Sequence, residues 1–568
     1  MIDPITLTVL QNRIRQIAEE MDTILDRAAF SPIISEGRDR ASGIYDVDGR
    51  LITQGITGMP VHIGAMQFGV SAVARKAQNC KPGDIYIIND PYLGGTHLMD
   101  VKVVLPIFVD SELFCWLGSS GHWPDIGGAV PGGYVTTATE VQQEGLRLGG
   151  LRLYREGTPD PDLLQLILDN VRVPEQRLGD LKAQVASLRA GEKEFHRIAA
   201  EFGAPLLREA ISMLHHQSAT LVREIIGHIK PGTYVFGDMM DNDGVDDIPL
   251  WIRLKLTVEK ERLVFDFSDS SPPCRGPLNC VIASTASAVY IAFKHLFPDV
   301  PLNGGFFEPF EIIAPETTFL NAKYPRPVSG CAAEVSQRVV DVCLGAFAQA
   351  LPERSTGAPV GTVLNLTIGG FDPVENRRYI FYLYTGGGHG GYAGGDGISN
   401  APASTGLAKT PPIEIVEQHA PVLFEEYALR PDSAGAGEFR GGFGIRYALR
   451  LLSGEAYLAI LGDRNRRGPF GILGGENGAS AHVELSLAGT DYVPPMGSKD
   501  SNIYFQTGDR ISVRTPGGGG RGETSARAAE LVTKDRVRGY ISHAYAVEHY
   551  PDQVAAGERS ESSPKSVT

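Results

Sequence analysis

One segment decides the fold near the amino terminus: residues 89–128, which read NDPYLGGTHLMDVKVVLPIFVDSELFCWLGSSGHWPDIGG. Residues 101–109 are almost entirely apolar and rich in β-branched side chains, and residues 113–118 are again mostly apolar. Asp110 and Ser111 stand between the two runs and suit a two-residue turn. The pattern therefore predicts an antiparallel β-hairpin.

Three side chains that can bind a metal fall at the open end of this hairpin. The predicted turn places Asp100 opposite Gly121, with His122 beside them and His97 three residues before Asp100. Imidazole and carboxylate suit Zn, Mn or Fe(II), and a site with two histidines keeps a position open for water or substrate. Because His-x-x-Asp is no established signature, ordinary polar loop residues remain the alternative.

Composition limits the classes of function. The 568 residues include 67 Asp+Glu and 52 Lys+Arg, for a formal net charge of −15, which argues against a nucleic-acid groove. The amino terminus lacks the pattern of a secretory signal, and the most apolar long window, residues 281–293, is too short to span a bilayer. Six scattered cysteines without a Cys-x-x-Cys pair fit reduced thiols. We therefore expect a cytoplasmic protein that binds neither nucleic acid nor membrane.

The apolar pattern changes along the chain and predicts an α+β fold. An amino-terminal mixed α/β region is followed by a helical middle segment and a β-rich carboxyl-terminal half punctuated by glycine turns. The predicted segments are 1–159 (α/β, with the metal site), 160–229 (helical), 230–377 (α+β), 378–556 (β-rich) and 557–568 (a disordered tail).

A glycine-rich run follows a predicted strand at residues 385–397. Gly386, Gly388 and Gly391 formally match the dinucleotide-binding pattern, but the following Gly, Asn and Pro residues would break the helix that such a site needs. The run is better explained as a close-packed or substrate-facing loop. Since no Gly-x-x-x-x-Gly-Lys-Ser/Thr motif occurs, any nucleotide chemistry must come from elsewhere.

Several motifs together resemble the hydantoinase B/oxoprolinase family. The hallmark is Asn-Asp-Pro-Tyr-x-Gly-Gly-Thr-His-x-x-Asp at residues 89–100, with Gly-His-x-x-Asp-Ile-Gly-Gly at residues 121–128. Pro-Ile-Glu at 412–414, Leu-Arg-Pro-Asp-Ser at 429–433 and Thr-Pro-Gly-Gly-Gly at 515–519 follow in the order of that family. The resemblance covers nearly the whole chain.

The resemblance implies a subunit of an ATP-dependent enzyme. Members are large subunits of N-methylhydantoinases, oxoprolinases, lactam hydrolases such as caprolactamase, and the acetone and acetophenone carboxylases. A hydantoinase A type partner carries the ATP and Mg site, which agrees with the missing phosphate loop here. We therefore expect a hetero-oligomer, such as α2β2, that acts on a small cyclic amide or a ketone.

The same resemblance assigns the metal ligands to Glu36, His97, Asp100 and His122. It thereby adds a carboxylate from the first loop to the trio at the hairpin. The ion would be a divalent transition metal, Zn, Mn or Fe.

Four further polar residues are weaker candidates. Asp90 and Asp125 are candidates to orient the imidazoles, or are plain turn and cap residues. His62 and His389 are candidate proton carriers on glycine-flanked loops, although such histidines are more often structural.

The expected reaction has two stages, because an unactivated amide is a poor reactant. The partner phosphorylates the substrate oxygen, and the activated species then reacts at the metal of this subunit. Opening of a hydantoin, lactam or oxoproline ring is the preferred reaction. Carboxylation of a ketone is the first alternative, and a noncatalytic scaffold for the ATPase is the second.

Overall fold

The computed structural model describes residues 2–562, and for residue 63 and residues 557–562 it describes the backbone alone. The fold is α+β, as predicted. The α-helices are α1 (Pro4–Ala28), α2 (Pro32–Ser35), α3 (Pro60–Lys76), α4 (Pro161–Asp169), α5 (Pro174–Phe202), α6 (Ala204–His228), α7 (Ile282–Leu296), α8 (Ser336–Ala350), α9 (Ile413–His419), α10 (Ala529–Val537), α11 (His543–His549) and α12 (Pro551–Ser562).

The strands of the described residues form four sheets. They are β1 (Arg40–Tyr45), β2 (Leu51–Gln54), β3 (Ile85–Ile88), β4 (Asp100–Val109), β5 (Glu112–His122), β6 (Gly149–Arg155), β7 (Thr158–Pro159), β8 (Gly232–Met240), β9 (Leu250–Val258), β10 (Leu263–Asp266), β11 (Phe310–Ile313), β12 (Asn365–Asp372), β13 (Arg377–Leu383), β14 (Val422–Leu429), β15 (Ile445–Leu451), β16 (Glu455–Leu461), β17 (His482–Leu487), β18 (Thr490–Tyr492), β19 (Lys499–Gln506) and β20 (Arg510–Arg514).

The first sheet carries the predicted hairpin at its centre. Its strand order is β2-β1-β5-β4-β3-β6-β7, and every pairing is antiparallel. Val103 and Leu105 of β4 belong to the core shared with α1 and α5, whereas Val104 packs with residues of α3. Both faces are covered, which explains why β4 is an almost unbroken apolar run.

The hairpin turn lies where the sequence predicts it. Asp110 and Ser111 have φ values of 52° and 68°. Two successive positive φ values are typical of the tight turn whose twist matches that of the flanking strands.

The register of the hairpin differs from the prediction by one residue. Asp100 pairs with His122, whereas the sequence placed it opposite Gly121. The cause is a shift of register between Ile107 and Phe108, a β-bulge that a count from the turn cannot reveal. The bulge sets a metal-capable side chain directly opposite Asp100.

The middle of the chain is helical and then mixed. Helices α4, α5 and α6 fall within the segment predicted to be helical, and β8 starts at Gly232. The apolar window near residue 281 forms α7, a buried helix that packs against α8. Helix α8 also packs on β8 and β9 of the second sheet, whose order is β11-β10-β9-β8.

The carboxyl-terminal half contains a β-sandwich. The sheets β13-β12-β16-β19 and β14-β15-β20-β17-β18 share one core that includes Leu366, Tyr447 and Phe505. Strand β12 lies before residue 378 and pairs with β13 and β16 in this sandwich. Helix α12 continues through residue 562 into the predicted disordered tail, and residues 563–568 lie outside the described part of the chain.

The glycine run at residues 385–397 is packed backbone against backbone. A Cβ atom added to Gly388 would lie 2.0 Å from the carbonyl oxygen of Gly442 and 2.2 Å from the amide nitrogen of Gly518. No larger residue fits there without moving two other segments. The geometry is that of a close-packed loop.

Two observations bear on the environment of the protein. No helix among the described residues is both long and apolar enough to cross a bilayer. None of the six cysteines forms a disulfide.

Candidate metal centre

Five buried polar side chains converge at one end of the first sheet. The two ends of the hairpin supply Asp100, the first residue of β4, and His122, the last residue of β5. His97 comes from the loop before β4, Asp39 precedes β1, and His62 lies in the first turn of α3. All five are at most 5% exposed.

The two histidines of the predicted trio face one carboxylate oxygen. His97 Nε2 lies 3.0 Å and His122 Nδ1 lies 3.5 Å from Oδ1 of Asp100. Ligand atoms of the three residues all lie within 4.8 Å of one another. Ligands about 2.1 Å from an ion in a tetrahedral site are about 3.4 Å apart, so the spacing suits a transition-metal ion.

Asp39 supplies a second carboxylate to this group. Its Oδ2 lies 3.8 Å from His122 Nδ1, and its main-chain carbonyl accepts a hydrogen bond from the His122 amide at 3.0 Å. The backbone contact is possible because β1 pairs with β5, with Arg40 opposite Gly121. The sequence analysis did not identify Asp39.

The structure does not bring Glu36 to the cluster. Glu36 follows the short helix α2, its amide donates to the Pro32 carbonyl at 2.9 Å, and its side chain is exposed. Arg38 then adopts a left-handed conformation, with φ at 59°. This turn redirects the chain into β1, so that Asp39 enters the interior while Glu36 remains on the surface.

Groups outside the cluster orient two of its members. His97 Nδ1 lies 3.2 Å from the Ser329 carbonyl oxygen, to which an imidazole N–H donates. That bond leaves Nε2 as the nitrogen with a free lone pair, directed at Asp100. The Thr96 hydroxyl donates to the other carboxylate oxygen of Asp100.

Asp90 and Asp125 have other partners. Asp90 accepts a hydrogen bond from the Tyr92 amide at 3.0 Å and caps a short turn. Asp125 accepts from the amide and the guanidinium of Arg172, at 2.5 and 3.0 Å. These aspartates hold loops, and the carbonyl of Ser329 takes the orienting role that was considered for them.

Some buried nitrogens of the cluster have no partner. His122 Nε2 and both ring nitrogens of His62 lack a hydrogen bond within the described residues. An unpaired buried polar atom costs about 1–3 kcal/mol, so these atoms indicate a missing ligand, water or ion. His62 Nε2 lies 3.8 Å from Asp100 Oδ1 and 3.9 Å from Asp39 Oδ1, so this histidine belongs to the cluster.

His389, the other histidine considered from the sequence, is not in this cluster. It is largely buried, and its Nε2 lies 2.6 Å from the carbonyl oxygen of Pro402.

Burial and mutual charge perturb the acids and bases. Burial raises the pKa of Asp39 to about 6, with His122 opposing the rise and Asp100 adding to it. Burial alone would also raise the pKa of Asp100, but His97 and His62 hold it well below its ordinary range. Burial lowers the pKa of His62 to about 4, so this imidazole is neutral at pH 7. Neutral imidazole and ionised carboxylate are the forms that bind metals.

The cluster lines a very small cavity with an aromatic wall. The free volume is about 20 Å³, and Tyr134, Tyr382 and Tyr384 line it together with the polar residues. The ring of Tyr382 stacks on His122 at a centroid distance of 4.7 Å. The metal-capable groups are therefore shielded from bulk water.

Comparisons with known proteins agree across the chain. A sequence model of the hydantoinase B/oxoprolinase family matches residues 3–524. An uncharacterized protein of Methanocaldococcus jannaschii is 35% identical over 94% of this chain and 93% of its own. The caprolactamase subunit beta of Pseudomonas jessenii is 27% identical over 95% of this chain and 94% of its own.

Solved structures show the same fold. The crystal structure of the ATP-dependent caprolactamase from Pseudomonas jessenii superposes with a TM-score of 0.89 at 27% identity, covering 97% of this chain and 96% of that one. Acetone carboxylase in its nucleotide-free form gives a TM-score of 0.88 at 20% identity, covering 100% and 84% of the two chains.

Some relatives are considerably longer. This chain spans 42% of the 5-oxoprolinase of Saccharomyces cerevisiae, to which it is 30% identical. The relatives with described activities are ATP-dependent hydrolases or carboxylases, and several are named as one subunit of an enzyme. Since the family model and the caprolactamase structure both cover nearly the whole chain, the protein belongs to the hydantoinase B/oxoprolinase family.

Proposed function

We propose that the protein is the metal-binding subunit of an ATP-dependent cyclic amide hydrolase that opens a hydantoin, lactam or oxoproline ring. A hydantoinase A type subunit would phosphorylate the substrate. The observation that carries the proposal is the buried convergence of two carboxylates and two imidazoles at the end of one hairpin. This donor set is typical of a catalytic metal site rather than a closed structural one.

The proposed ligands are Asp39, His97, Asp100 and His122. Asp39 replaces Glu36 in this set because its carboxylate lies beside His122, whereas Glu36 is exposed. A divalent ion held there would supply Lewis acidity to a water nucleophile or to the oxygen of the substrate.

The chain itself contributes orientation, exclusion of water and a hydrogen-bond donor. The Tyr134 hydroxyl is buried, lines the cavity and has no hydrogen-bond partner within the described residues. Its polar neighbour, the Tyr382 hydroxyl, donates to Asn365 Oδ1 at 2.8 Å. Burial raises the pKa of Tyr134 well above its ordinary value, so the hydroxyl stays protonated and can donate to a substrate oxygen.

Likeness to the caprolactamase supports hydrolysis over carboxylation. The caprolactamase subunit beta aligns over almost all of both chains at 27% identity. Acetone carboxylase, at 20% identity, shares the fold, and that likeness carries no argument about the reaction. A noncatalytic scaffold would not require a buried donor set with unpaired nitrogens.

The test is reconstitution with a hydantoinase A type subunit. ATP consumption would be measured with hydantoins, lactams and 5-oxoproline, and separately with ketones plus bicarbonate. We expect turnover with a cyclic amide, and loss of turnover when His122→Ala replaces the wild-type chain. Turnover that requires a ketone and bicarbonate would overturn the hydrolase assignment, and equal turnover by His122→Ala would overturn the metal centre.

A further inference from the structure

The space at the metal cluster cannot accommodate a cyclic amide. Its free volume is about 20 Å³, close to that of a single water. Small-molecule sites generally measure about 300–1,000 Å³. If the proposed function holds, a substrate must approach from a neighbouring cavity, and the wall between them must move.

One neighbouring cavity, here called the outer cavity, shares a wall with the cluster. It measures about 630 Å³ and is lined by Tyr384, Gly386, Asn400, Pro402, Leu407, Ala408, Lys409, Thr410, Pro411, Pro412, Ile413 and Tyr427. Tyr384 also lines the metal cluster. Two other cavities, of about 530 and 420 Å³, have no lining residue in common with the cluster.

The shared wall is thin. Thr405 lines the cluster and Leu407 lines the outer cavity, so the chain crosses the wall within three residues. A Cβ atom added to Gly406 would lie 2.2 Å from the Tyr384 hydroxyl and 3.3 Å from the Met59 side chain. One aromatic ring and one glycine turn therefore separate the two spaces.

The wall belongs to a strap, residues 403–409, that lies across the segments carrying Asp39 and His62. The Val61 amide donates to the Thr405 carbonyl at 2.9 Å, and the Lys409 amide donates to the Gly37 carbonyl at 2.8 Å. Displacing the strap would open the cluster toward the outer cavity while the sheet that holds the ligands stays in place.

The lining of the outer cavity fits an apolar ring that carries an anion. Leu407, Ala408 and Ile413 offer apolar contacts. Lys409 is exposed and forms no ion pair with any carboxylate in the described part of the chain. A free ammonium beside an apolar surface suits a phosphate group attached to a small ring.

We propose that the outer cavity is the entry site for the activated substrate, an O-phosphorylated cyclic amide. Its ring contacts Leu407 and Ile413, its phosphate contacts Lys409, and Tyr384 with the strap forms the door to the metal. The inference rests on the proposed function, since it names the path by which that site is reached.

The test fills the outer cavity from its rim. Ile413→Trp is compared with Ala393→Trp, which fills the separate cavity of about 420 Å³. The first measurement is the rate at which 1,10-phenanthroline removes metal from the purified protein, and the second is turnover of the reconstituted complex. We expect Ile413→Trp to slow both at least fivefold and Ala393→Trp to stay within twofold of wild type.

Equal rates in the two tryptophan variants would overturn the entry site. Should Ile413→Trp fail to fold, Leu407→Trp serves instead, because Leu407 is 49% exposed. Lys409→Glu should reduce turnover at least fivefold with unchanged metal removal, Lys409→Arg should retain turnover, and wild-type turnover by Lys409→Glu would exclude the phosphate contact. A wild-type complex that binds no metal or consumes no ATP would instead refute the proposed function.

Discussion

His122 faces Asp100 directly across the central hairpin, with its Nδ1 3.5 Å from Asp100 Oδ1. Both residues are strand ends within a sheet that is covered on both faces, so their separation is fixed by backbone hydrogen bonds. Asp39 joins them through the adjacent strand pairing. The proposed metal site is therefore built on rigid elements before any ion binds.

Replacing His122 should remove metal without unfolding the sheet. His122→Ala deletes one ligand and leaves the strand pairing intact, so we expect the metal content to fall at least tenfold and turnover to be lost. Elemental analysis of protein purified without chelator measures the first effect, and far-ultraviolet circular dichroism checks the fold. His216→Ala, at an exposed histidine outside the cluster, is the matched control. Full metal content in His122→Ala would contradict the ligand assignment.

Two nearby carboxylates distinguish the structural assignment from the family resemblance. Asp39→Asn should lower the metal content severalfold, because an amide is a much weaker ligand than a carboxylate. Glu36→Gln should leave the metal content unchanged, since Glu36 is exposed. Both changes preserve side-chain size. The reverse result, with metal lost only in Glu36→Gln, would restore the ligand set implied by the resemblance.

The hairpin and its trio follow from local sequence, because strand periodicity and turn residues act over short distances. Asp39 could not be found in that way. Its position depends on the pairing of β1 with β5 and on the left-handed turn at Arg38, neither of which leaves a local signal. Likewise, Ser329 approaches His97 from a distant part of the chain. The bulge after Ile107 moved the register by one residue for the same reason.

Stability should depend on pH through Glu334. Burial raises the pKa of this carboxyl group from 4.5 to about 8, with the charge of Asp463 adding to the effect. Between these values the folded state keeps a proton that the unfolded state has lost, so stability falls as pH rises from about 4.5 to about 8 and then levels off. Glu334→Gln carries no such proton.

The comparison is made by thermal unfolding at pH 5 and pH 8. Glu334→Gln should gain stability relative to wild type on going from the lower to the higher pH. Glu375→Gln, at an exposed turn position, should follow wild type at both. A constant difference between Glu334→Gln and wild type would show that this carboxyl group is already ionised in the folded protein.

The hairpin turn offers a stabilising change that should leave the metal centre untouched. Ser111 is exposed and has a φ of 68°, a conformation that costs an L-residue about 1 kcal/mol and that glycine adopts freely. Ser111→Gly should therefore slow hydrogen exchange of the β4 and β5 amides about fivefold, if these amides exchange through local opening of the hairpin. Ser111→Val, with a β-branched side chain, should speed the same exchange. Metal content should be unchanged in both variants, because the turn lies at the opposite end of the hairpin from Asp100 and His122. Faster exchange in Ser111→Gly would mean that the Ser111 side chain stabilises the turn in a way its backbone conformation does not reveal.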